Sequence, residues 1–103
     1  MDVVFQAHNA VISDRMRDRA TRAVSKIAQR LDRVVDVTVR FHQDGPVRRV
    51  ELRLNAPGRR DLVSAGEARY YGPALNMAIA HLESQVGRER QSPKERGRPL
   101  ARA

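Results

Sequence analysis

Between Val34 and Val37 the spacing of apolar residues changes from three or four to two, and this change constrains the fold more than any other feature. Upstream, Met16, Ala20, Val24, Ile27, Leu31 and Val34 fall on one side of a helix, which predicts an amphipathic helix over 14–33. Ser13 suits its N-cap, and Asp14 stands in the first turn, where the helix dipole favours an acid. Downstream, Val37, Val39 and Phe41 alternate with Asp36, Thr38, Arg40 and His42. Val50, Leu52 and Leu54 then alternate with Arg49, Glu51 and Arg53 across the turn Asp44-Gly45-Pro46. That pattern is a hairpin of two half-buried strands.

Weaker signals complete the order. Residues 3–8 read as a first strand with Val3, Phe5 and Ala7 on one face. Pro57-Gly58 suits the centre of a type II turn, and residues 61–68 form a fourth strand rich in small side chains. Pro73, Leu75, Ala78, Ile79, Leu82 and Val86 predict a second amphipathic helix over 73–90. Residues 91–103 lose all periodicity and read as a disordered basic tail carrying Lys94, Arg96, Arg98 and Arg102, suited either to wrapping RNA or simply to solubility. The order β-α-β-β-β-α predicts an α+β two-layer sandwich, a four-stranded sheet with both helices on one face, as a single domain over 1–90.

Charge narrows the function. Twenty Lys and Arg against twelve Asp and Glu give a net charge of +8, which favours a polyanionic partner. On the first helix, Arg15, Arg19, Arg22, Lys26, Arg30 and Arg33 recur at spacings of three and four beside the apolar arc. Asp14, Asp18 and Asp32 fall elsewhere with Thr21 and Ser25. A row of six would run roughly 27 Å, enough to meet several phosphates. Like charges at neighbouring helical positions repel by a few tenths of a kcal/mol per pair, so such sorting points to a phosphate-reading face. A merely solvated basic face is the alternative. Arg88 and Arg90 add cations near the end of the second helix.

Other classes find little support. No run of about 18 apolar residues is present to span a membrane, and Met1-Asp2-Val3-Val4-Phe5 lacks the features of a secretory signal. The absence of cysteine fits a reducing cytoplasm. His8, His42 and His81 show no metal-ligand spacing, and neither a nucleophile elbow nor a phosphate-cradling glycine loop occurs. The expectation is no enzyme, no cofactor, no metal and no small-molecule substrate. Arg40, His42, Arg49, Glu51 and Arg53 belong on the open sheet face as mixed, cross-strand paired charges. That face carries no aromatic platform for single strands. Tyr70 and Tyr71 read as anchors of the loop before the second helix, with base stacking as the alternative.

The ordered set of residues resembles the ribosome hibernation-promoting factor and protein Y family, also called sigma-54 modulation proteins. Ile12-Ser13-Asp14-Arg15-Met16-Arg17 is similar to the opening of the family's first helix, and Ser25-Lys26-Ile27 with Leu31 to its continuation. Asn55-Ala56-Pro57-Gly58 and Leu62-Val63-Ser64-Ala65-Gly66 are similar to its third-to-fourth-strand turn and fourth strand. Ala74-Leu75-Asn76 and Leu82-Glu83-Ser84-Gln85-Val86 are similar to segments of its second helix. The likeness spans residues 3–90.

This resemblance implies a fold akin to a double-stranded-RNA-binding domain and a cytoplasmic inhibitor of translation in the stress response. The implied partner is 16S ribosomal RNA in the small-subunit channel, where messenger and tRNA sites would be blocked. It carries RNA contacts onto Arg17, Arg22, Lys26 and Arg88, and a short form that is monomeric off the ribosome. The family's Asp-Met-Tyr is here Tyr70-Tyr71-Gly72, and its second-helix lysine and arginine are here His81 and Ser84. The residues alone leave two alternatives, a general double-stranded-RNA or nucleic-acid-binding module and an adaptor for an acidic protein.

Overall fold

The computed structural model describes the backbone of residues 1–102 and the side chains of residues 1–89. Six elements follow in the order β1 (Asp2–His8), α1 (Asp14–Ala28), β2 (Asp36–Asp44), β3 (Val47–Asn55), β4 (Leu62–Ala68) and α2 (Tyr71–Arg102). The strands lie in the order β1-β2-β3-β4, with β1 parallel to β2 and the remaining neighbours antiparallel. The expected two-layer α+β sandwich is present. α2 is assigned over more residues than periodicity predicts, and the expected tail 91–103 falls outside the fully described residues.

Strand periodicity decides which side of the sheet is covered. Val37, Val39, Phe41, Val50, Leu52 and Leu54 are buried on one face against Ala20, Val24 and Ile27 of α1 and Leu75, Ala78, Leu82 and Val86 of α2. The alternate residues Arg40, His42, Arg49, Glu51 and Arg53 stand on the other face, as their spacing requires. The β2–β3 loop is only Gly45-Pro46, since Asp44 pairs with Val47. Gly45 at φ +59 followed by proline fits a type II′ turn, whose twist matches the flanking strands. Gly58 at φ +80 after Pro57 fits the predicted type II turn.

The small side chains of β4 have a packing explanation that composition alone does not supply. A methyl group placed on Gly66 would collide with the Ala74 carbonyl oxygen and lie 2.6 Å from Met77 Cβ, so α2 rests directly on the β4 backbone. Beside it the buried Ser64 Oγ donates to the Ala78 carbonyl at 2.7 Å. His81 Nδ1 donates to the Ala65 carbonyl at 2.9 Å, and Gln85 Nε2 to the Val63 carbonyl at 2.7 Å. The last two bonds occupy acceptors of an edge strand that would otherwise invite pairing with another chain.

The first helix is shorter than predicted. Ser13 caps its start, its Oγ accepting from the Met16 N–H at 3.1 Å, and Asp14 occupies the first turn. Its end comes at Ala28, not near Arg33. There the hydrogen bonds tighten to i→i−3, from the Arg30 N–H to Ile27 and from the Leu31 N–H to Ala28. Arg33 then takes φ +63, the left-handed conformation that reverses the chain toward β2. Leu31 is buried and Val34 half-buried, so both keep the helical rhythm while plugging the core from a turn.

Candidate nucleic-acid interface

Of the expected row of six cations, four lie on the helix. Arg15, Arg19, Arg22 and Lys26 fall within an arc of about 60° when wound at 100° per residue. Along the axis they cover about 16 Å, shorter than the row of six predicted from the sequence. Arg30 follows in the turn and stays close to that line, with one guanidinium nitrogen 4.0 Å from where a Gly87 Cβ would stand. Arg33 does not belong to the row. The helix has ended and the left-handed turn has redirected the chain before it.

Neighbours divide these cations further. Arg19 reaches across to α2, where its Nη2 donates to Asn76 Oδ1 at 2.6 Å, and it fills the space beside Gly72. It is a strut between helices as well as a charge. Lys26 and Arg30 line an interhelical groove floored by Ala23, Ile27 and Ile79 and bordered by Glu83. These contacts pair the first half of α1 with the start of α2 and the end of α1 with its later turns. The two helices therefore run in the same direction. Among the described residues, no cation of α1 and neither Arg30 nor Arg33 takes part in a salt bridge.

The remaining site candidates scatter. Arg17 projects toward β1, its guanidinium 5.7 Å from the Phe5 ring centre, on the side of α1 away from α2. Arg88 falls on the helical side of α2 shared by His81 and Ser84. His81 is turned to the β4 edge, so Arg88 stands across α2 from the α1 row. The Arg90 side chain lies outside the described residues. Of the expected contacts, the fold gathers Arg15, Arg19, Arg22, Lys26 and Arg30 into one ridge, and sets Arg17, Arg33 and Arg88 apart.

One further cluster lies outside what helical periodicity picks out. Arg48 shares the helix-bearing side of β3 with Val50 and Leu52, but at the strand's open end. Its guanidinium lies 5.6 Å from the Tyr71 ring centre and 6.0 Å from that of Tyr70, and it donates to the Arg69 carbonyl. Tyr71 meets the Phe41 ring edge-on at 5.4 Å. Its hydroxyl is buried without a partner, and burial raises its pKa, while the Arg48 charge opposes that shift. Tyr71 is thus the loop anchor expected from the sequence. Tyr70 is not, being 69% exposed. The signal available in advance is strand parity, which already puts Arg48 on the helical side.

The open sheet face is built differently. Arg49 pairs with Glu51 at 3.6 Å and Glu67 at 3.7 Å, while Arg53 meets Asp61 at 2.9 Å. The His8 and His42 rings stack at 5.0 Å on neighbouring strands. Among the described residues, no group of three acidic, histidine or cysteine side chains is placed to hold a metal ion. Nor is any described helix long and apolar enough to cross a membrane.

Residues 3–93 match the family described as sigma 54 modulation protein / S30EA ribosomal protein. Solved structures share the fold, two of them as follows. A ribosomal subunit interface protein from Coxiella burnetii aligns with a TM-score of 0.79, covering 87% of this chain and 98% of its own at 17% identity. The N-terminal domain of Protein Y from Thermus thermophilus aligns at 0.71, covering 84% and 93% at 23% identity. No curated protein matches the sequence.

Proposed function

Since this chain belongs to the sigma 54 modulation protein / S30EA ribosomal protein family, whose members are ribosome-associated factors and not enzymes, we propose that it holds ribosomes inactive by binding 16S ribosomal RNA of the small subunit. The bound domain would occupy the channel used by messenger and tRNA, in the cytoplasm, and act by obstruction. The observation that carries this reading is the ridge of Arg15, Arg22 and Lys26 on a helix whose other side is locked into the core, continued by Arg30 in the turn, all free of salt bridges among the described residues. Cations that form no salt bridge can neutralise phosphates and release counterions without first breaking one. Arg19, tied to Asn76, would hold the ridge against α2 and lend charge from that fixed position. Arg17 and Arg88 would contact RNA outside the ridge, and Arg33 is not assigned a contact.

Sucrose-gradient sedimentation with ribosomes, run beside in vitro translation, tests this. The wild-type chain is expected to travel with the small subunit at low salt and to suppress translation. Arg22→Glu with Lys26→Glu should weaken ribosome binding by about a hundredfold while circular dichroism stays unchanged. A chain that remains at the top of the gradient refutes the ribosomal role. Binding to isolated duplex RNA under the same conditions would then favour a general double-stranded-RNA module.

A further inference from the structure

We propose that Tyr70 and Arg48 form a stacking site for one unpaired nucleobase, set beside the basic ridge at the start of α2. This rests on the RNA-binding role proposed for that ridge and adds what kind of RNA the domain prefers. An aromatic ring exposed to 69% in the residue just before a helix carries a hydration cost that packing does not explain. Tyr71 next to it is half-buried with its ring edge-on to Phe41, so the two tyrosines divide the labour. Tyr71 secures the loop, and Tyr70 is left facing solvent.

Arg48 makes the exposed ring a prepared surface. It is bound to the Arg69 carbonyl and lies against both tyrosine rings, which restricts its guanidinium to one place. No carboxylate pairs with it among the described residues. Stacking of a base on tyrosine, with a fixed guanidinium plane beside it, is how proteins hold splayed-out nucleotides. Two residues further on, Gly72 abuts Arg19 of α1, since a methyl group placed on that glycine would lie 3.3 Å from Arg19 Nη1. The site therefore adjoins the cationic ridge on the same side of the molecule. The first turn of α2 holds no acidic residue to repel the phosphate attached to such a base. A purine is the expected occupant, because its larger π-face covers more of the ring.

The test compares two RNA hairpins that differ only by one bulged adenine, with the full chain as binder. The wild type is expected to bind the bulged hairpin about tenfold more tightly than the fully paired one. Tyr70→Ala should abolish that preference while leaving affinity for the paired hairpin within about twofold, and Tyr70→Trp should restore it. Placing 2-aminopurine at the bulge should give quenching with the wild type and not with Tyr70→Ala. A preference that persists in Tyr70→Ala overturns the stacking site alone. Failure of the wild type to bind either hairpin overturns the stacking site together with RNA binding by the ridge.

Discussion

On the open face of the sheet, Arg49 lies between Glu51 and Glu67 and Arg53 lies against Asp61, whereas on α1 Arg15, Arg22 and Lys26 take part in no salt bridge among the described residues. Both faces are rich in arginine, but on the sheet Arg49 and Arg53 are paired with carboxylates while the helical row is not. Exposed pairs such as those on the sheet contribute little stability, typically below about 1 kcal/mol, so their main effect is to cancel the local field. The ridge keeps its field and accepts mutual repulsion of a few tenths of a kcal/mol per neighbouring pair. The lesson is that net charge does not locate a polyanion site. The distribution of carboxylates among the cations does.

The contrast between the faces needs the helical layer to be seated firmly on the sheet, and the largest expected effect attacks that seat. Gly66→Ala would drive a methyl group into the α2 backbone and should cost about 3 kcal/mol of stability in urea unfolding. A cost below about 1 kcal/mol would mean that α2 shifts easily and that the ridge is not rigid. Next comes the charge on each face. Arg22→Ala with Lys26→Ala should lower the magnitude of the log–log salt slope of ribosome binding by about 2, while Arg49→Ala with Arg53→Ala, whose charges are already paired, should leave it unchanged. Equal losses from both pairs would erase the distinction between ridge and sheet.

Smaller effects sharpen it. A double-mutant cycle on Arg53 and Asp61 should return a coupling of about 0.5 kcal/mol in thermal unfolding, as for other exposed pairs. A coupling well above about 1 kcal/mol would make the sheet charges structural. Tyr71→Phe removes a buried hydroxyl that has no partner and should leave stability unchanged or raise it slightly. The pKa of Tyr71 is raised in the folded state, so its neutral form is the one that fits. Its contribution is whole below the ordinary value of 10.0 and is lost as pH rises through the folded value. The stability of Tyr71→Phe should accordingly fall less steeply as pH rises above 10.0.

Much of the fold is legible from residue spacing, and the exceptions share a cause. The core faces of β2, β3 and both helices follow from repeats that each strand or helix imposes on itself. The end of α1 does not, because Leu31 and Val34 satisfy the helical rhythm while serving a turn, and no glycine or proline between Ala28 and Asp36 marks the stop. Arg33 in consequence looks, by spacing alone, like part of the ridge. The small residues of β4 read as weak strand preference, when they are what lets α2 approach the backbone. Arg88 matches the family's pattern in sequence yet lies across α2 from the ridge.

The sequence by itself determined which side of each element is apolar, where α1 begins and that its cations are sorted from its acids, since these depend on residues within a few turns of one another. Only the tertiary structure decided that β1 pairs in parallel with β2, that Arg19 is tied to Asn76, that His81 and Gln85 close the β4 edge, and that Arg48 meets Tyr70. Those partners are separated by some sixteen to fifty-seven positions along the chain. Local repeat carries no information about such meetings, because they depend on how the layers pack.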